Sequence, residues 1–301
     1  MEPFALVIHG GAMVGPSSLL TESARQERIA ALHESLRQGF EVLAGGGTAL
    51  DAAIRAVMVM EDCPLFNAGK GAVLAANGTV EMDAAVMDGR TGRCGGVSAV
   101  MTIKNPILAA RAVMDHSPHS LLCARGAESF AREQDIELAD NSYFQTAERR
   151  LALEEALAGR RFEAARSLGT VGAAARDKNG NLAAATSTGG LTGKLPGRVS
   201  DSSIAGAGTW AANGICSLSC TGTGDVFIRN ATARDVACMV EYKGMPLSAA
   251  IRAGLDKVAK AGGTGGMIGL GPQGPAVMDY NTDAMSRGFR QDGAEPFAAI
   301  F

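Results

Sequence analysis

The sequence predicts an α+β fold in which antiparallel sheets are covered on their outer faces by helical layers. Three observations predict it. Strand-like runs come as hairpins around turn sequences such as Asn77-Gly78 and Asp177-Lys178-Asn179-Gly180. Segments with helical apolar spacing come in pairs, and the pairs are not interleaved singly with strands as in a doubly wound sheet. The 301 residues are 47% hydrophobic and 20% charged, enough apolar material for one large shared core.

Along the chain, residues 4–8 read as a buried strand that runs into a glycine loop, His9-Gly10-Gly11-Ala12. Over residues 22–43, Ile29, Leu32, Leu36, Phe40 and Leu43 fall on one helix face. Gly45-Gly46-Gly47 stops that helix. Thr48, with Asp51 three residues on, starts a second as a near capping box, running to about Met60. Residues 72–76 and 79–83 flank Asn77-Gly78 as a hairpin. Residues 97–103 read as a strand, Asn105-Pro106 opens a helix through Met114, and residues 120–133 read as another. Residues 148–166 are charged and alanine-rich, a helix that loosens into a linker over about 150–169. Residues 170–176 and 182–187 form a second hairpin, and 215–219 a short strand. Helices follow at 226–242 and 247–261. Gly262 to Gly266 reads as a flexible or substrate-edge turn leading into 267–270, and strand-like pieces at 276–278 and 297–301 finish the chain.

Composition excludes several classes of function. The net charge is −3 and no Lys/Arg stripe occurs, so neither nucleic acid nor an anionic membrane is an expected partner. The six cysteines are scattered with no CxxC pair, which suits free thiols in a reducing compartment. The start lacks a basic n-region, its apolar run is too short for a signal sequence, and no stretch approaches the ~20 apolar residues of a membrane span. A cytoplasmic protein is expected. None of the four histidines, His9 among them, has a cysteine or carboxylate at zinc spacing, so no transition metal is expected and no cofactor for the chemistry.

The chain has no obvious Ser-His-Asp or Cys-His set. What it has is a mid-chain Gly169-Thr170 bond followed by hydroxyl- and glycine-rich segments. A threonine hydroxyl is a weak nucleophile until a base takes its proton, and cutting the chain before it frees an α-amine that can be that base. Taken alone, Thr170 is as readily a strand residue, though Gly169 permits the strained backbone that hydroxyl attack on its carbonyl needs. Thr186 and Thr188 face one way on a strand one hairpin away, and Ser187 the other. Arg198 and Asp201 read either as a surface ion pair or as a clamp for one small zwitterion, Arg198 taking a carboxylate bidentately and Asp201 an ammonium. Thr221-Gly222-Thr223-Gly224 follows a strand and precedes a helix, where backbone N–H groups could form an oxyanion hole. The lysine of a Walker-type phosphate loop is absent.

These segments, with Phe66-Asn67-Ala68-Gly69-Lys70-Gly71 and Met82-Asp83-Ala84-Ala85-Val86-Met87-Asp88-Gly89, stand in one order along nearly the whole chain. In that order they resemble the plant-type L-asparaginases, or isoaspartyl aminopeptidases, of the N-terminal nucleophile hydrolases. The resemblance implies a four-layer αββα sandwich. It implies self-cleavage into an α subunit, 1–169, and a β subunit, 170–301, that together form one domain. By resemblance Thr170 is the nucleophile, Thr188 supports its hydroxyl, and Thr221 with the N–H of Gly222 forms the oxyanion hole. Arg198 holds the substrate α-carboxylate, Asp201 and the backbone at Gly224 hold its α-amine, and Asn67 lies close to the nucleophile. The loop 60–68 matches the family's sodium-binding loop, with backbone carbonyls of Met60, Glu61, Cys63, Phe66 and Ala68 as hard ligands for a structural Na⁺. A dimer of cleaved α–β pairs, a heterotetramer, is the implied assembly.

The function expected is hydrolysis of L-asparagine and of β-aspartyl dipeptides. Two alternatives stand beside it. One is a glycosylasparaginase, against which the Gly169-Thr170-Val171-Gly172 junction and Thr188-Gly189-Gly190 argue. The other is an uncleaved, non-catalytic protein that binds aspartyl ligands.

Overall fold

The computed structural model describes residues 3–15, 20–159 and 169–301. Residues up to 159 hold β1 (Ala5–Met13), α1 (Glu22–Ala44), α2 (Ala49–Glu61), β2 (Met82–Asp88), β3 (Cys94–Val100), α3 (Pro106–His116), β4 (Leu121–Cys123), α4 (Ala124–Glu133) and α5 (Ala147–Leu157). Residues from 169 on hold β5 (Val171–Arg176), β6 (Leu182–Thr188), β7 (Thr209–Ala212), β8 (Cys216–Gly222), α6 (Gly224–Asn230), α7 (Thr232–Lys243), α8 (Leu247–Lys260), β9 (Gly265–Leu270), β10 (Val277–Tyr280), β11 (Ala284–Gln291) and β12 (Phe297–Ala299).

The strands form two sheets, of order β12-β11-β1-β5-β6-β2-β3-β4 and β10-β9-β8-β7. All pairs are antiparallel except β3 with β4. The period-2 pleat sorts their side chains. Leu6 and Ile8 of β1, Ala173 and Ala175 of β5, and Ala183 and Ala185 of β6 join the core beneath α1, α2 and α3. Ala5, Val7, Ala174 and Leu182 point the other way, onto Ile268 and Leu270 of β9. The outer face of the small sheet buries Leu218 and Met267 against Val236, Ile251 and Leu255 of α7 and α8. Helices, sheet, sheet, helices: this is the four-layer αββα sandwich. Strands in its middle are buried on both faces, which is why β5 and β6 are runs of alanine rather than alternating polar and apolar residues. Small side chains let a helix layer and a second sheet close on one strand.

Several helix boundaries follow local chemistry. Gly45 caps α1 and Gly46 adopts φ +86°. Thr48 caps α2 by accepting from Asp51 N, and its hydroxyl donates to Asp51 Oδ2 at 2.7 Å. Other elements differ from expectation. The 72–83 hairpin shrinks to an isolated bridge, Leu74 with Val80, because the 191–194 loop takes the backbone groups a ladder would use. Ala76 N donates to Lys194 O, and Gly193 N to Leu74 O. The true strand there is β2, displaced toward Asp88. The helix expected over 120–133 begins as β4, with Ala124 at φ 48° between the two. The helix expected over 226–242 is broken into α6 and α7 at Ala231, φ 45°. Of the charged segment 148–166, α5 covers the start; residues 160–168 lie outside the described residues.

Candidate active site

Thr170 stands one residue before β5, past the end of two ladders: β1 pairs with β5 as far as His9 with Gly172, and β6 as far as Ser187 with Val171. The pleat parity that sends Ala174 between the sheets also sends Gly172 and Thr170 there. On β6 it sends Thr186 and Thr188 to the same side and Ser187 to the helices. Thr170 is buried, and its hydroxyl donates to Thr188 Oγ1 at 3.0 Å. Thr188 Oγ1 also accepts from Gly190 N at 3.0 Å. The Gly169-Thr170 junction is closely enclosed. A Cβ on Gly169 would lie 2.9 Å from Thr221 Oγ1, and one on Gly11, at φ +101°, would lie 2.3 Å from Gly169 Cα. Thr221 Oγ1 accepts from Ala12 N at 3.1 Å, which leaves its hydroxyl proton free to donate toward the junction. Gly222 ends β8 at φ +142°, where a Cβ would meet Thr264 O at 2.2 Å. That close approach requires glycine.

Arg198 and Asp201 lie on the far side of Gly224. A Cβ on Gly224 would meet Asp201 Oδ1 at 2.5 Å and Arg198 Nη2 at 2.9 Å, so the absent side chain leaves both groups facing one space. Asp201 is buried and its Oδ2 has no partner. Burial pushes its carboxyl up to about 7, against the pull of Arg198. Arg198 donates from Nη2 to the half-exposed Asp225 at 2.7 Å, while its Nε is unpaired. The loop carrying both is pinned to the start of β2. Gly197 N donates to Glu81 Oε2, Ser200 N to Asp83 Oδ2, and the buried Lys194 Nζ to Glu81 O.

Asn67 is placed behind this arrangement. Its Nδ2 donates to Gly190 O at 2.8 Å and its Oδ1 accepts from Val73 N at 2.9 Å, so the amide ties the turn after Thr188 to the segment that follows Gly71. In the 60–68 loop, Met60 and Glu61 end α2 at its negative pole. Their carbonyls accept from Cys63 N and Lys70 N, and the Cys63 carbonyl from Phe66 N. The Met60 carbonyl also accepts from Asp62 N. The donors of this loop are neutral backbone carbonyls, which by their chemistry are hard ligands of the kind an alkali-metal cation takes. Among the described residues no group of three or more His, Cys, Asp or Glu is placed to hold a metal.

Sequence reasoning passed over three groups here. His9, which the sequence places only in the glycine loop and without a zinc-ligand partner, is wholly buried against Thr170. Its Nδ1 lies 3.0 Å from Thr170 O and its Nε2 2.8 Å from Ser219 Oγ. Burial drives its pKa down to about 3, so the ring is neutral. Glu61 reaches Ser187 Oγ at 2.6 Å, and burial raises its carboxyl to about 8. Asp225 holds the Arg198 guanidinium at 2.7 Å. The His9 contacts join residues 161 and 210 positions apart, a distance across which no local pattern carries a signal.

The family described as asparaginase matches residues 1–299. The isoaspartyl peptidase of Salmonella typhimurium is 43% identical over 311 residues, covering 100% of this chain and 99% of that protein. The isoaspartyl peptidase of Escherichia coli is 42% identical, covering 100% and 97%. The plant-type L-asparaginase of Pyrobaculum calidifontis is 41% identical, covering 96% and 97%. With a match over almost its full length and relatives this similar end to end, the chain belongs to the asparaginase family whose members include isoaspartyl peptidases and plant-type L-asparaginases.

Proposed function

We propose that this protein hydrolyses L-asparagine and β-aspartyl dipeptides after cutting itself between Gly169 and Thr170. The observation that carries the reading is the meeting of Thr170 and Thr188 at 3.0 Å, with Thr221 beside the Gly169 junction and Arg198 and Asp201 facing one space across Gly224. The substrates share a free α-amine and α-carboxylate beside a side-chain amide. Arg198 exchanges Asp225 for the α-carboxylate, and Asp201 with the Gly224 backbone takes the ammonium. Thr170 Oγ1 attacks the amide carbon while its proton passes to the freed α-amine. Thr221 and the Gly222 N–H stabilise the oxyanion. The amine returns the proton to the departing nitrogen, so ammonia or an amino acid leaves and a β-aspartyl ester remains. Water, deprotonated by the same amine, releases aspartate.

The same reading places Na⁺ on the carbonyls of Met60, Glu61, Cys63, Phe66 and Ala68, where it would supply a fixed structural charge. Two cleaved pairs assemble as a heterotetramer in the cytoplasm. No helix of the described residues is long and apolar enough to cross a membrane. Intact mass of the purified protein, followed by assays on asparagine and β-aspartyl-leucine, tests the function. Two polypeptides meeting at Gly169/Thr170 and release of aspartate are expected. A permanently single chain that is fully active, or a cut protein that acts only on glycosylated asparagine, would sink it. Sedimentation in sodium and in potassium buffers tests the assembly and the ion.

A further inference from the structure

Between the two sheets runs a file of hydrogen-bonding groups that the reaction does not use. It starts at the Thr170 carbonyl and passes to His9 Nδ1 at 3.0 Å, then from Nε2 to Ser219 Oγ at 2.8 Å. It continues to Thr186 Oγ1 at 2.7 Å, Thr209 Oγ1 at 2.7 Å and the Ser202 carbonyl at 2.9 Å. All four side chains are buried. The chain has made room for the file at one place in particular: a Cβ on Gly172 would lie 1.9 Å from Ser219 Oγ and 2.4 Å from His9 Nε2. The nucleophile strand carries a glycine where the His9–Ser219 bond crosses its face.

The protons in this file can be counted. Five contacts join two carbonyl oxygens, which only accept, through four side chains that each hold one exchangeable proton while His9 is neutral. One contact therefore has no proton, and two lone pairs face each other there. The cost of that is least where the atoms are farthest apart for their type. An N–H···O contact of about 3.0 Å is ordinary, whereas hydroxyl contacts are normally about 2.7–2.8 Å. The open link is then Thr209 to Ser202, at 2.9 Å the longest of the oxygen–oxygen contacts. Every remaining proton points toward Thr170: Thr209 donates to Thr186, Thr186 to Ser219, Ser219 to His9 Nε2, and His9 Nδ1–H to the Thr170 carbonyl.

We propose that His9 is a positioning residue for the nucleophile: its Nδ1–H tautomer holds the Thr170 carbonyl and is fixed in that tautomer by Ser219, Thr186 and Thr209. The position in the fold gives this contact its importance. Both ladders that hold β5 stop short of Thr170, at Gly172 on one side and Val171 on the other. Once the Gly169 bond is cut, Thr170 is tethered covalently on one side alone. His9, the β1 partner of Gly172, continues the sheet with its side chain past the point where its backbone can. The inference rests on Thr170 being the nucleophile.

Nitrogen-15 NMR of the labelled wild-type enzyme, with the His9 signals assigned by their loss in His9→Asn, reads the tautomer directly. The expected result is a protonated Nδ1 and an unprotonated Nε2 at neutral pH. An Nε2–H tautomer or an imidazolium overturns the proposal. Kinetics on already cut protein read the role. The Asn side-chain amide reaches the place of Nδ1 and can donate to the same carbonyl; leucine cannot. His9→Leu should lower kcat about ten- to thirtyfold with KM nearly unchanged, the size of one lost buried hydrogen bond, and His9→Asn should regain most of it. Equal kcat values in the two variants, or a rise in KM alone, would overturn it. Should His9→Leu fail to fold, the wild-type spectrum still decides the contact. A wild type that hydrolyses neither substrate refutes the functional reading, and its tautomer is a separate result.

Discussion

The two ends of the site are built from different interactions. Around Thr170 everything is neutral and enclosed: hydroxyls, a neutral imidazole, backbone groups, and glycines where a Cβ would collide. Around Arg198 the groups are ionisable and partly wet, with a buried carboxyl whose Oδ2 has no partner on one side and the half-exposed Asp225 paired to the guanidinium on the other. On the proposed reading the first end sets the place of one reacting atom and the second selects among ligands by charge. Substitutions should therefore fail differently at the two ends: at the nucleophile end in kcat or stability, at the clamp end in KM, pH dependence and salt dependence.

The largest effect belongs to Thr170→Ala. It should leave one uncut chain and lower hydrolysis by at least about a thousandfold, as mass spectrometry and an ammonia assay would report. Residual cutting in this variant would break the comparison at its root. Asp201→Asn comes next. Its carboxyl, raised to about 7, must be ionised to hold an ammonium, so in wild type kcat/KM should rise as pH climbs through about 7. The asparagine variant should lose that limb and retain the one from the Thr170 amine, whose reference pKa is roughly 7.7–8.0. A pH profile unchanged in shape would make Asp201 merely structural. Arg198→Lys should raise KM about ten- to a hundredfold with little change in kcat, because an ammonium cannot supply the planar fork.

Gly172→Ala sharpens the neutral end. Its methyl would drive into Ser219 and His9, costing about 1–3 kcal/mol of stability and lowering Tm by several degrees. An unshifted Tm would show that this interface has slack. The smallest expected effect is from Asp225→Asn. An exposed ion pair is worth about 1 kcal/mol or less, so freeing Arg198 from it should lower KM about two- to fivefold, and less at high salt. A rise in KM would mean that Asp225 aims the guanidinium rather than competing for it.

Legibility in the sequence follows the range of the interactions. Helix boundaries at Gly45 to Gly47 and Thr48 are written in adjacent residues and were readable. The alignment of Thr170 with Thr188 follows from one hairpin and was readable too. Strands β7 and β11 were not. The first is four residues long, and the second, AMSRGFRQ, carries arginines and a glycine that mask its pairing with β1 at the opposite end of the chain. Of the 72–83 hairpin only the turn is local, with Gly78 at φ +81° and Ala75 N bonded to Thr79 O, while Leu74 O and Ala76 N pair with a loop more than a hundred residues on. The acid–base states of His9, Asp201 and Glu61 are consequences of burial, which a sequence motif does not print.

In the large sheet β1 lies between β11 and β5, so a strand from before residue 169 is hydrogen-bonded on both edges by strands from after residue 170. Folding of the uncut chain is a unimolecular event whose rate is independent of concentration. Once the bond is broken, the same sheet has to be rebuilt by two molecules that must first find each other, with the translational entropy of a second polymer to overcome. Denatured mature enzyme should thus regain structure with second-order kinetics and falling yield on dilution, whereas Thr170→Ala should refold at a rate indifferent to concentration. A cut at this bond would make the fold something the protein reaches readily once.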